Sequence, residues 1–316
     1  MRNLMLMLAV TVMATVLLAA VAWAQDGSNF GNTCDVSDQS NQDPIYEPVD
    51  GHDHIFFGAK AVMNADSGDT LRGDLTSCNR ADNSSAYWLP EVYRNGSTTP
   101  LPVDTESKDL GDNTIYYRAG DVRNSGIITV FPSDFEIVAR DDGGPGDVRW
   151  SCDGTGRPLT DAPPATCSTR LLKVHIEFPQ CWDEVRVPDS ENRPEYLRMA
   201  NRDGNCKFNG VKWRAVPEIT MSLNFVLPAT DVGTITVAGD DPVQNDGQLP
   251  YTSMHADFMN GWNQVVLTDL VTDCIKKVPQ GTPQNQKPDK CRDPGRLAST
   301  THPDGAETSH ASRYSP

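Results

Sequence analysis

Eight cysteines, Cys34, Cys78, Cys152, Cys167, Cys181, Cys206, Cys274 and Cys291, restrict what this chain can fold into more than any other feature. Their number is even, and all follow an N-terminal leader. Arg2 gives that leader a positive start, residues 4–20 are an uncharged apolar run, and Ala22-Trp23-Ala24 is the small-x-small pattern that signal peptidase reads before Gln25. The expectation is a secreted or extracytoplasmic chain, cleaved after Ala24 and closed by disulfides in an oxidising compartment. An uncleaved signal anchor is the competing reading, because residues 4–24 are long enough to span a thinned bilayer. No second run of that length follows, so no membrane association is expected after cleavage. None of the cysteines forms a C-x-x-C pair, which argues against a zinc ribbon or a thioredoxin-type redox site. Spacing does not give the connectivity, since eight cysteines allow about a hundred pairings.

Charge narrows the partners. Lys and Arg number 27 against 43 Asp and Glu, a formal net charge of -16, and loss of Arg2 with the leader makes the mature chain more acidic still. Nucleic acid is therefore not an expected partner, because phosphate binding needs a basic face that releases counterions.

Hydrophobic period assigns the fold class. In Leu172-Lys173-Val174-His175-Ile176-Glu177-Phe178 the apolar residues alternate, which puts Lys173, His175 and Glu177 on the opposite strand face. Residues 219–225 repeat the pattern. Further β-branched or aromatic runs at 86–93, 114–118, 126–131, 135–139 and 233–238 are separated by Gly, Pro, Asp and Asn turns. Residues 262–275 have helical spacing, with Asn260 or Asn263 as a cap. The expected fold is mainly β, an antiparallel sandwich-like core with one or two packed helices. Its expected organisation is a signal peptide over 1–24, a polar, poorly ordered segment over 25–42, one globular domain over 43–278 and a flexible tail over 279–316.

Few residues are equipped for chemistry. His52 and His54 stand at i and i+2 and share a face if the segment is extended, an arrangement that suits a divalent metal such as zinc or copper. A hydrogen-bonded loop pair is the alternative. His255 precedes the expected helix, and Asp257 two residues on can orient its imidazole or share a ligand role. His175, exposed beside Glu177, is a further candidate. Tyr87, Trp88, Tyr116, Tyr117 and Trp182, with Asp183, offer a platform for stacking sugar rings, although burial is the commoner fate of such side chains. The acidic loop over 141–147 offers calcium ligands without EF-hand spacing, and a solvated turn is the preferred reading. No Gly-x-Ser-x-Gly elbow, Walker loop or His-Glu-x-x-His helix occurs.

Five blocks in order, Asp43-Pro44-Ile45 with Gly51-His52-Asp53-His54-Ile55-Phe56-Phe57-Gly58, Ser85-Ala86-Tyr87-Trp88-Leu89-Pro90, Phe178-Pro179-Gln180-Cys181-Trp182-Asp183, and His255-Ala256-Asp257-Phe258-Met259-Asn260-Gly261-Trp262, resemble the DUF1996 family. That family of secreted fungal and bacterial proteins carries no established activity, and some members sit beside carbohydrate-binding modules. Many members have further histidines after the Cys-Trp-Asp block. Here residues 191–200 and 213–217 contain none, and Glu184 replaces the glycine that usually follows the block.

Together these observations lead us to expect an extracytoplasmic domain that acts on or binds extracellular or cell-wall glycan. Its site would draw on His255, Asp257 and His175 for catalysis, on Tyr87, Trp88, Trp182 and Asp183 for the substrate, and on His52 and His54 for a divalent metal. A metal-binding or structural protein without catalysis is the alternative; a shared site requires His52 or His54 within about 8 Å of His255 or Asp257, and otherwise the histidines have separate structural roles.

Overall fold

The computed structural model describes residues 28–45, 52–65, 67–94, 97–104, 113–140, 146–152, 159–185, 197–239 and 251–292. The expected signal peptide and most of the expected C-terminal tail lie outside these residues, as do residues 141–145 of the acidic loop. Among the described residues no helix is long and apolar enough to cross a membrane.

Two five-stranded antiparallel sheets carry the architecture. Their strands are β1 (Asn29–Thr33), β2 (Val36–Ser40), β3 (His54–Gly58), β4 (Ala86–Pro90), β5 (Thr114–Arg118), β6 (Glu136–Arg140), β7 (Asp147–Cys152), β8 (Leu171–Glu177), β9 (Glu218–Val226) and β10 (His255–Met259). The first sheet runs β1-β5-β9-β8-β7 and the second β2-β3-β4-β10-β6. Alternation does what the sequence predicts in the first sheet. Leu172, Val174 and Ile176 of β8 and Ile219, Met221, Leu223 and Phe225 of β9 enter the main core. Ile55, Phe57, Tyr87, Leu89, Ile137, Ala139, Ala256 and Phe258 enter it from the second sheet. Burial of one such large apolar side chain contributes about 1.5–3 kcal/mol, so this shared core is what holds the sheets face to face.

The second sheet is buried on both faces, which is why β3 and β4 read as continuous apolar runs rather than alternating ones. Its other face supports a smaller cluster of Phe56, Trp88, Ala86, Val138 and Met259, covered by Ile45, Val62 and Leu71. Phe56 stacks on Trp88 with ring centroids 5.5 Å apart. The residues that matter chemically continue this same face beyond its apolar part.

All eight cysteines pair: Cys34–Cys78, Cys152–Cys167, Cys181–Cys206 and Cys274–Cys291. Each bond adds a covalent tie between segments 15 to 44 positions apart. Cys274–Cys291, for example, ties the stretch after the last helix back onto it.

The structure departs from the sequence reading in three places. The segment expected to be poorly ordered over 25–42 supplies β1 and β2, one edge strand to each sheet. Its polar residues hid this because Asn29 and Asn32 are buried; the buried Lys287 ammonium donates to Asn29 Oδ1. Residues 279–292 of the expected tail are likewise packed, through Lys287 and Cys291. The run 126–131 is no strand: Asn124 caps a 3-10 turn at Ser125–Ile127, and Thr129 bonds the Ala215 carbonyl. Ile128 and Phe131 are still core residues. The expected helix covers Gln264–Leu270 and continues as a wider π turn over Val271–Lys276. Asn263 caps it, its side chain accepting from the Val265 and Val266 amides.

Candidate functional site

On the outward face of the second sheet, period two brings distant histidines together. His255 and Asp257 occupy alternate positions of β10, Asp257 pairs with Trp88 of β4, and Trp88 pairs with Phe56 of β3. His54, two residues before Phe56, therefore projects from the same face. His52 reaches the group from the segment preceding β3. Ring centroids lie 4.3 Å apart for His52 and His54, 5.0 Å for His52 and His255, and 5.7 Å for His54 and His255. Ligand atoms of His52, His54 and His255 fall within 4.8 Å of one another, as do those of Asp43, His54 and Asp257. His54 and Asp257 form the buried floor, whereas the His255 side chain keeps 15% of its exposure and His52 is half-buried at the mouth.

Hydrogen bonds fix the imidazole tautomers. His54 Nδ1 lies 3.1 Å from the Gln42 carbonyl, and His255 Nδ1 lies 2.9 Å from the Ser253 carbonyl. A carbonyl oxygen only accepts, so each Nδ1 carries the proton and each Nε2 presents a lone pair. Those two Nε2 atoms are 3.5 Å apart. Asp257 Oδ2 is 3.6 Å from His255 Nε2, and neither carboxylate oxygen of Asp257 has a hydrogen-bond partner; nor does His52 Nε2. Gly239, at φ +87°, packs on His52: a Cβ there would stand 2.9 Å from its Cγ and Nδ1.

Burial sets the charge state. Desolvation lowers His54 to about 3, helped by His52 and His255. It also lowers His255 to about 3, against the Ser253 hydrogen bond and with help from His52 and Arg140. His52 is lowered by burial, with Asp53 opposing. Asp257 is pushed well above the usual carboxylate range, first by burial and then by Asp43, while Arg140 opposes. The cluster is thus a set of neutral nitrogen donors over a buried carboxyl group whose two oxygens accept no hydrogen bond.

Other residues singled out in the sequence stand elsewhere. His175 lies on the outward face of the first sheet, where its Nδ1 meets Ser222 Oγ at 2.9 Å and its Nε2 meets Ser151 Oγ at 3.4 Å. It does not join His255. Tyr87 and Trp88 are fully buried, so neither presents a ring to a sugar; Tyr87 instead hydrogen-bonds Asn83 and Tyr117 in the core. Trp182 is nearly enclosed against Phe135. Asp183 spends a carboxylate oxygen on the Val185 amide. Conversely, Asp43 belongs to the cluster and the sequence reading did not assign it a role. Its signal was present, because it heads the first of the five blocks.

Residues 43–262, from this aspartate to just past β10, match the family model described as Domain of unknown function (DUF1996). No curated protein and no solved structure matches the chain.

Proposed function

We propose that this chain, which belongs to the DUF1996 family, holds a divalent first-row transition metal, zinc or copper, through His52, His54 and His255, with Asp257 as fourth donor. The observation that carries the reading is the pair of facing lone pairs. Two nitrogens bound to one tetrahedral zinc at 2.0–2.1 Å stand about 3.3 Å apart, close to the spacing of His54 and His255. Both rings already donate their second nitrogen to a backbone carbonyl, the outer-shell bond that orients ligating histidines. A cation would also give the two buried Asp257 oxygens a partner that no hydrogen bond supplies. Imidazole donors favour zinc or copper over calcium or magnesium, which prefer all-oxygen sites.

Acid–base catalysis by His255 and Asp257 alone fits the geometry less well. In such a dyad the carboxylate holds Nδ1 and leaves Nε2 for the substrate. Here the Ser253 carbonyl holds Nδ1, and Nε2 faces Asp257 and His54. The enclosure of Tyr87 and Trp88 also leaves the glycan reading without its stacking platform at this site. The leader and the four disulfides support an extracytoplasmic setting.

Metal-stripped protein titrated with zinc and with copper(II), against a chromogenic chelator, tests the proposal. One ion per chain is expected, and His255→Gln and Asp257→Asn should each weaken binding by at least about tenfold. Wild type that takes up neither ion stoichiometrically sinks it.

A further inference from the structure

A second surface, remote in sequence from the histidine blocks, has chemistry of a different kind. Residues 197–215 contain five cations, Arg198, Arg202, Lys207, Lys212 and Arg214, against one acid, Asp203, in a chain of net charge -16. Their centre is a hairpin of two short strands, Lys207–Phe208 and Val211–Lys212. Asn209 and Gly210 turn it at φ +51° and +84°, the left-handed pair that an Asn-Gly hairpin turn uses. The Cys181–Cys206 disulfide fixes its base. The shape is therefore set before any partner arrives.

Register makes the charge unfavourable in isolation. Lys207 pairs directly with Lys212, and like charges in opposite cross-strand positions destabilise a hairpin. Among the described residues no carboxylate pairs with Arg198, Lys207 or Lys212; Arg214 has Glu184. Half-buried aromatic rings stand between the cations. Phe208 and Trp213 meet with centroids 4.9 Å apart, and the Arg198 guanidinium lies 5.5 and 5.1 Å from them.

We infer that this hairpin is a binding surface for a carboxylated polysaccharide, a run of uronate residues. Planar guanidinium groups match carboxylates bidentately, and the apolar faces of pyranose rings pack on aromatic side chains. The low charge density of such a chain also fits. A Debye length of about 8 Å at physiological salt lets a short anionic segment feel the local patch rather than the acidic remainder. A nucleic acid duplex, longer, stiffer and more densely charged, meets that remainder too. A second copy of this chain is the other acidic candidate, but the hairpin exposes little apolar surface beyond Val211 with which to bury a stable interface.

The test is binding of the mature, disulfide-intact protein to polygalacturonate, with neutral galactan, phosphatidylserine vesicles and duplex DNA in parallel. Binding to polygalacturonate alone, weakening as salt rises, is expected. Lys207→Glu with Lys212→Glu should weaken it at least about tenfold. Trp213→Ala should weaken it about three- to tenfold. Lys207→Gln with Lys212→Gln guards against misfolding and should give an intermediate loss with an unchanged circular dichroism spectrum. Metal uptake should be the same in all variants, so the histidine proposal stands or falls separately. Equal binding to galactan, preference for vesicles or DNA, concentration-dependent dimerisation abolished by the same substitutions, or charge-reversed protein that binds polygalacturonate unchanged would each overturn the inference.

Discussion

His54 Nε2 and His255 Nε2 face each other at 3.5 Å although 201 residues separate them in the chain. Both present lone pairs, so the contact is repulsive until a proton or a metal ion lies between them. Burial holds both imidazoles far below their ordinary range, to about 3, which disfavours the proton at neutral pH. In the proposed site a metal ion takes that place, and its binding to the folded chain stabilises the fold. At a free concentration one hundred times its dissociation constant, an ion contributes about 2.7 kcal/mol. For a domain of this size that raises the unfolding midpoint by about 5–10 °C. Differential scanning fluorimetry with zinc should show the rise, a chelator should reverse it, and His255→Gln should not show it. A wild-type midpoint indifferent to zinc and copper contradicts the site.

Gly239 tests the same site from outside. A side chain there meets the His52 ring at 2.9 Å, and the φ of +87° disfavours any L-residue. Gly239→Ala should cost about 1–3 kcal/mol of stability through backbone strain. It should also displace His52 and lower metal affinity, whereas a purely structural glycine would lower stability alone. Metal titration of the folded variant separates the two outcomes.

How far the sequence foretold this arrangement depends on the type of signal. The His-x-Asp pair was legible because period two places i and i+2 on one face of strand β10, whereas in the His-x-His pair only His54 belongs to strand β3 and His52 joins from the segment before it. That both pairs share a face follows from register through Trp88, which no local pattern encodes. Asp43 escaped because it acts from a loop, and Tyr87 and Trp88 were open to misreading because the second sheet is covered on both sides. β1 and β2 were hidden for the opposite reason. Ser28 and Asn29 are polar yet buried, satisfied by the Val278 carbonyl and by Lys287 rather than by any local pattern, and among the described residues the buried Asn32 side chain has no hydrogen-bond partner.

The C-terminal packing has its own consequence. Cys274–Cys291 spans 17 positions and holds the segment whose Lys287 reaches Asn29 in β1. Replacing both cysteines by serine removes a loop constraint of about 3 kcal/mol. It should also free residues 279–292 for proteolysis before global unfolding. Limited digestion followed by mass spectrometry should find the first cleavage there, and cleavage rates equal to wild type would show that the disulfide adds nothing to Lys287.

The outward face of the first sheet predicts a pH dependence. The Arg118 Nε donates to Glu218 Oε1 at 2.7 Å, and another Arg118 nitrogen donates to Glu177. One guanidinium thus faces two buried carboxyl groups, and only one negative charge is balanced. Burial pushes Glu218 up to about 8, with Glu177 and Asp121 adding to the rise and Arg118 opposing it. Glu177 is raised as well, again by burial first and with Arg118 opposing. A carboxyl group with a raised folded value binds its proton more tightly in the folded than in the unfolded chain, so stability falls as pH rises. The contribution is fully present below the ordinary carboxylate value near 4.5, declines above it and is lost once pH passes about 8. His54, His255 and His175 act with the opposite sign, losing stability as pH falls below about 6.5. The Glu218 effect must therefore be read by difference. Glu218→Gln puts an uncharged amide where the protonated acid stands and keeps an acceptor for Arg118. Urea unfolding at pH 5 and pH 9 should show wild type losing on the order of a few kcal/mol relative to this variant across the interval. Identical losses would mean that Glu218 does not take up a proton on folding in this pH interval.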